Sequence, residues 1–108
     1  MYKLRINPVA KKDMQEIKEY ISKELLNPDA AINVISKIIM GYEQLKEFPR
    51  LGLELSSKLN IITDYRFLIL GDYIVFYKID DEYVSIYRII YARRDYLKLL
   101  FTEEENIE

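Results

Sequence analysis

The chain of 108 residues contains no cysteine and no histidine. The first absence excludes disulfides and thiolate metal sites. The second removes the commonest acid/base group at neutral pH and the commonest metal ligand. Catalysis would have to use Lys, Arg, Tyr, Asp or Glu. Three glycines in all leave no material for a glycine-rich phosphate loop, and no Ser-His or Cys-His nucleophile can be built. No apolar run approaches the length of a membrane span, and Met1–Ile6, broken by Asn7-Pro8, is too short for a secretory signal. The expectation is a cytoplasmic chain with no membrane partner, no metal and no cofactor. Its length suits one domain over 1–108, large enough to fold around a core without staples.

Excess charge is equally scarce. The net charge is −2, and Glu103, Glu104, Glu105 and Glu108 crowd the last six residues. Without them sixteen basic residues face fourteen acidic ones, so the body is only weakly cationic and a simple nucleic-acid coat is not expected. Residues 102–108 are expected to be a frayed acidic tail. Ten tyrosines are the compositional excess; their large apolar bodies and polar tips suit both a small core and an interface.

Tyr2–Ile6 alternates apolar and polar residues and predicts a short strand. Asn7-Pro8 is a helix start: a capping side chain, then a proline whose fixed φ suits the first turn. A helix over about 8–25 follows, with Ala10, Met14, Ile17, Ile21 and Leu25 on one stripe. Asn27-Pro28-Asp29 repeats the signal and starts a helix over about 28–46, striped by Ala31, Ile35, Ile38, Tyr42 and Leu45. So short a connection makes the two an antiparallel αα-hairpin. Gly41 inside the second helix costs roughly 1 kcal/mol against alanine, which close packing there would justify. Phe48-Pro49 ends the helix, and residues 50–60 predict a loop anchored by leucines.

Residues 61–70, 73–79 and 83–91 predict three antiparallel strands. Gly71-Asp72 is a two-residue hairpin turn and Asp80-Asp81-Glu82 supplies the next. That register pairs Leu70 with Tyr73 and Arg66 with Tyr77. It places Arg66, Leu68, Tyr73, Val75, Tyr77, Val84, Ile86, Arg88 and Ile90 on one face, and Tyr65, Phe67, Ile74, Phe76, Tyr87, Ile89 and Tyr91 on the other. A one-residue bulge would exchange the faces. Both are apolar, so the helical hairpin covers one, while the C-terminal segment, a partner, or both cover the other. Asp95–Phe101 predicts a last short helix.

The arginines are the candidate functional residues. Arg66 and Arg88 lie in strands among apolar neighbours. They either pair with an acid such as Asp64 or Asp95, or line a cationic groove for a phosphate backbone or acidic peptide. Arg93-Arg94 precede a helix N-terminus, where the macrodipole disfavours cations, so local structure does not ask for them. The target-binding candidates are Arg66, Arg88, Arg93 and Arg94.

The ordered set resembles the RelE/ParE superfamily of bacterial type II toxins. It comprises the Tyr2–Ile6 strand, Ala10…Ile17…Tyr20-Ile21, Asn27-Pro28-Asp29-Ala30-Ala31, Leu45…Phe48-Pro49…Gly52, Tyr65-Arg66, Tyr73…Phe76-Tyr77-Lys78-Ile79, Val84–Ile90 and Arg93-Arg94-Asp95-Tyr96. The resemblance implies an α+β fold: an N-terminal strand, an antiparallel αα-hairpin, a three-stranded antiparallel sheet joined by the first strand, and a short C-terminal helix. It implies a cognate antitoxin as partner, with Tyr65, Tyr87 and Tyr91 as its contacts. Mechanism divides within the family. ParE-like members, the plasmid-stabilisation toxins, inhibit DNA gyrase. RelE-like members are metal-independent endoribonucleases that cut mRNA on the ribosome, a role for which Arg66, Arg94 and Tyr96 would be the catalytic candidates. Leu68 stands where a second lysine is common in RelE-like members, Tyr73-Ile74 lacks their mid-sheet arginine, and Leu100 stands near their late tyrosine. The Asn-Pro-Asp-Ala-Ala and Phe-Pro segments look ParE-like. Gyrase inhibition is therefore the leading expectation, with ribosome-dependent mRNA cleavage second and a non-toxic remnant third.

Overall fold

The computed structural model describes residues 1–106. Strand β1 (Lys3–Ile6) leads into helix α1 (Pro8–Glu19). Asn7 Oδ1 accepts the Val9 N–H at 2.9 Å, and Asn27 Oδ1 accepts the Ala30 N–H at 3.1 Å, so both Asn-Pro pairs cap helices as their chemistry requires. The predicted extent of the first helix holds, but its last turn, Tyr20–Glu24, loosens to a π-turn in which the Leu25 N–H reaches the Tyr20 carbonyl at 3.3 Å. Leu26 then takes φ 52° while the Asn27 N–H closes onto the Ile21 carbonyl at 3.2 Å. A left-handed leucine costs about 1–2 kcal/mol, and it turns the chain directly into the next cap. Helix α2 (Pro28–Glu43) tightens to a 3-10 turn over Gln44–Lys46. Gly41 sits where any Cβ would collide with the Leu70 side chain, so the glycine lets α2 lie close on the sheet.

The loop over 50–60 contains two short elements, β2 (Leu53–Glu54) and α3 (Leu55–Leu59). Strands β3 (Arg66–Leu70), β4 (Tyr73–Ile79) and β5 (Tyr83–Tyr91) follow, then helix α4 (Tyr96–Asn106). The predicted start of the first of these strands at 61 moves to Arg66. The sheet order is β1-β5-β4-β3-β2. The β3–β4 register pairs Leu70 with Tyr73 and Arg66 with Tyr77, as the turn required. Gly71 has φ +62°, which fits the first central position of a type II′ turn. β1 joins β5 in parallel, Lys3 to Tyr83 through Ile6 to Ile86, so the first strand is the one member that breaks the antiparallel pattern.

β5 carries a bulge. Phe76 faces Arg88 but Tyr77 faces Ile86, which leaves Tyr87 as the extra residue. The faces therefore exchange beyond it. Ile89 joins Val84, Ile86, Val75, Tyr77, Ile38, Tyr42 and Leu45 in a core beneath the helical hairpin. Ile90 joins Tyr65, Phe67, Ile74, Phe76, Leu55 and Leu100 in a second core beneath α3 and α4. This corrects the face expected for Arg88, Ile89, Ile90 and Tyr91, the last of which pairs with Tyr73 and shares its face. It also identifies the cover of the second apolar face as the chain's own C-terminal helix. Full burial of each aliphatic side chain is worth about 1.5–3 kcal/mol, so α4 is held by packing.

Two hydrogen-bonded loops fix the strand ends. The Tyr77 hydroxyl, wholly buried, donates to the Pro49 carbonyl at 2.8 Å and accepts the Gly52 N–H at 2.9 Å. Gly52 has no room for a side chain, because a Cβ would run into the Phe67 carbonyl. Asp80 Oδ1 accepts the Glu82 and Tyr83 N–H groups at 2.9 and 2.6 Å. These bonds hold the Asp80 carboxyl below its ordinary range. A depressed carboxyl contributes stability that is present above its unfolded value and is lost as pH falls through the folded one.

Tyr77→Phe should cost about 1–3 kcal/mol, because it strands the buried Gly52 N–H; urea unfolding monitored by circular dichroism checks this. For Asp80→Asn, the gap in urea midpoint from the wild type should be open at pH 7, should begin to shrink below about pH 4, where the unfolded chain's carboxyl takes up its proton, and should close only once the pH has fallen through the depressed folded value.

Candidate functional site

Arg66 and Arg88 take structural partners, and neither is Asp64 or Asp95. Arg66 donates from Nη2 to the Gly52 carbonyl at 2.7 Å and lies 3.4 Å from the Glu54 carboxylate. It thereby ties β3 to the loop that Tyr77, its partner across the strands, also holds. Its Nε is buried without a hydrogen-bond partner. Arg88 donates from Nε and Nη2 to the two Asp13 oxygens at 2.8 and 3.1 Å, and from Nη1 to the Leu99 carbonyl at 3.3 Å. Asp13 Oδ2 also accepts the Ile89 N–H at 2.9 Å. β1 stops pairing at Ile86, so Ile89 lies on an edge that no strand covers, and the carboxylate takes that place. Arg88, expected on a target surface, is instead buried within a staple joining α1, β5 and α4. The signal for this was in the sequence: Asp13 lies three residues after Ala10 and four before Ile17, within the apolar stripe of α1.

Arg93 and Arg94 are exposed in the turn after β5, where the Arg94 N–H bonds the Tyr91 carbonyl at 3.0 Å. They are not near Arg66. Tyr91 is level with Tyr73, whereas Arg66 is level with Tyr77, four residues along the strands. That is about 13 Å of rise, with about 9.5 Å more across two strand spacings. Tyr96 packs its ring 5.5 Å from Phe76 in the second core. The three residues considered for catalysis, Arg66, Arg94 and Tyr96, therefore occupy three separate environments.

The tyrosines divide as well. Tyr65 is buried, edge-on to Tyr87 at 5.6 Å and to Phe101 at 5.9 Å. Lys78 lies over both, 4.3 Å from the Tyr65 ring and 5.0 Å from that of Tyr87, and 3.3 Å from Asp64. Tyr91 stands at the other end of the sheet, partly exposed and 5.7 Å from Tyr73.

An open cavity of about 770 Å³ lies at this second end, between the tip of the helical hairpin and the Gly71-Asp72 turn. Tyr20, Tyr73 and Tyr91 contribute to its lining, with Glu16, Asp72 and Arg94 as polar members outside the Asp13–Arg88 pair. Burial, then the neighbouring Asp72, Tyr91 and Tyr20, push the Tyr73 phenol above its ordinary value. Tyr73 therefore stays neutral at physiological pH and is a poor proton acceptor. Sequence reasoning missed Glu16, Asp72, Tyr20 and Tyr73, which come together only through the tertiary fold. Among the described residues no group of three or more acidic side chains is placed to hold a metal ion, and no helix is long and apolar enough to cross a membrane.

Asp13→Ala should destabilise the fold by about 3–5 kcal/mol, because Arg88 keeps a buried charge without its counter-ion. The double variant Asp13→Leu/Arg88→Met should recover a large part of that loss and leave mainly the unmet Ile89 N–H, about 1–3 kcal/mol. Chemical denaturation of the three proteins measures both.

Comparison with known proteins follows the same architecture. The solved structure of a chromosomal ParDE toxin–antitoxin system from P. aeruginosa superposes with a TM-score of 0.73 at 19% identity, covering 86% of this chain and 98% of that one. The toxin–antitoxin complex RelBE2 from Mycobacterium tuberculosis matches with a TM-score of 0.54 at 22% identity, covering 83% and 96%. At these identities the likeness is one of fold. No curated protein sequence matches. The family model for the ParE toxin of the type II toxin–antitoxin system parDE matches residues 4–96, from β1 to the first residue of α4. This chain belongs to the ParE toxin family of type II toxin–antitoxin systems.

Proposed function

We propose that this toxin arrests growth as a binding module that inhibits DNA gyrase, and that a cognate antitoxin neutralises it. One observation carries the choice of binding over cleavage. Arg66 is committed to Gly52 and Glu54, Tyr96 to the second core, and Arg94 lies at the far end of the sheet. A ribonuclease needs its base, acid and phosphate-stabilising groups around one scissile bond, and these three do not surround one point. Membership of the ParE family supports the same reading. Of the four arginines considered for target contact, Arg93 and Arg94 are the exposed ones. They mark the corner after β5 as the face offered to gyrase. Tyr91, beside them, is the tyrosine of its set most open to an antitoxin.

Purified protein should abolish supercoiling by gyrase while leaving mRNA intact in a translating extract. Arg93→Ala/Arg94→Ala should weaken inhibition by about tenfold, the cost of one lost charge-assisted contact. Cleaved mRNA with normal supercoiling would overturn the proposal in favour of the ribosome as target. Expression without antitoxin should arrest growth, and the double variant should relieve the arrest.

A further inference from the structure

The cavity at the hairpin tip has a chemistry the toxin reading does not use. Of the three carboxylates in its lining, Asp13 is paired with Arg88, while Glu16 and Asp72 have no ion-pair partner among the described residues. The charge of Arg88 is consumed by Asp13 at 2.8 Å, so Arg94 is the one cation left facing two anions. Three tyrosines share the lining. Tyr73 and Tyr91 are a tilted pair with centroids 5.7 Å apart, and Tyr20, more than half exposed, joins the lining from the residue just after α1. The π-turn begins at Tyr20, and Leu25 from its cap also lines the space. Irregular helical turns of this kind occur often where a helix presents residues to a ligand. Ile17 and Val34 supply aliphatic wall.

From this arrangement we propose that the cavity is a docking pocket for an arginine side chain of a partner polypeptide. A guanidinium is flat, stacks on tyrosine faces and carries donors that match carboxylates. Its methylene stem would lie against Ile17 and Val34. An anionic group would meet Glu16 and Asp72 instead, so charge complementarity selects the cation. The volume falls in the range of ligand pockets and exceeds what one small amine fills, which favours a side chain entering with its flanking backbone. The inference rests on the binding-module reading only in naming a polypeptide as occupant, and it does not depend on gyrase being the target.

The chain has no tryptophan, so tryptophan fluorescence reports a labelled probe alone. The probe is the tetrapeptide N-acetyl-Trp-Leu-Arg-Leu-amide, with glutamate and norleucine replacing arginine in two controls. The arginine peptide should bind the purified toxin about tenfold more tightly than either control, the scale of one stacked, hydrogen-bonded guanidinium. Glu16→Gln/Asp72→Asn, two exposed substitutions whose folding circular dichroism verifies, should erase that preference, and Tyr20→Ala should weaken it several-fold. Equal or tighter binding of the glutamate peptide, an unchanged preference in the folded double variant, or no binding of the arginine peptide would each overturn the proposal. None of these outcomes bears on supercoiling inhibition, which is measured separately.

Discussion

The structure depends on one carboxylate, that of Asp13. β5 is an interior strand of the sheet on one side of its bulge, between β1 and β4, and an uncovered edge on the other, because β1 ends at Ile6. A buried edge amide without a partner costs about 1–3 kcal/mol. α1 crosses that edge, and Asp13 supplies both the acceptor for Ile89 and the counter-ion for Arg88. Arg88 then passes the connection on to the Leu99 carbonyl of α4. One ion pair thus holds helical hairpin, sheet and C-terminal helix in a single arrangement. Because both charges are buried, neither can be removed alone without large cost.

The consequence is a sheet closed on both faces by its own chain. The helical hairpin takes one, and α3 with α4 takes the other. Surfaces for partners are pushed to the ends of the strands. At one end Arg66, Tyr77 and Gly52 lock a loop into place. At the other, the hairpin tip, the Gly71-Asp72 turn and the Arg93-Arg94 corner surround an open cavity. The exposed arginines collect at the second end, with Glu16 and Asp72, which have no ion-pair partner among the described residues.

Local chemistry was legible in the sequence. Asn7-Pro8, Asn27-Pro28 and Gly71-Asp72 each contain their own geometric reason, and the elements they start or join formed as read. Gly41 was read as a close approach, and Leu70 is what approaches. The faces of β5 were not legible beyond the bulge, because a single extra residue at Tyr87 reverses the alternation and leaves no periodic trace. The sequence could not show that β1 runs parallel to β5, since strand direction is set by where α1 and α2 carry the chain. Candidate arginines were recognised by type, but their roles follow from partners 12 and 75 residues away, Glu54 for Arg66 and Asp13 for Arg88.

What remains exposed decides the functional reading. With Arg66 and Arg88 used inside the fold, the free cations of that set are Arg93 and Arg94, and two neighbouring arginines can grip a partner without performing acid–base chemistry. On the proposed reading, the toxin stops its host by occupying a target. The order in which macromolecular synthesis fails after induction tests this most directly, by pulse-labelling DNA and protein in the same culture. Gyrase occupation predicts that DNA synthesis stops first while protein synthesis continues. Protein synthesis failing first, with DNA synthesis still running, would contradict it.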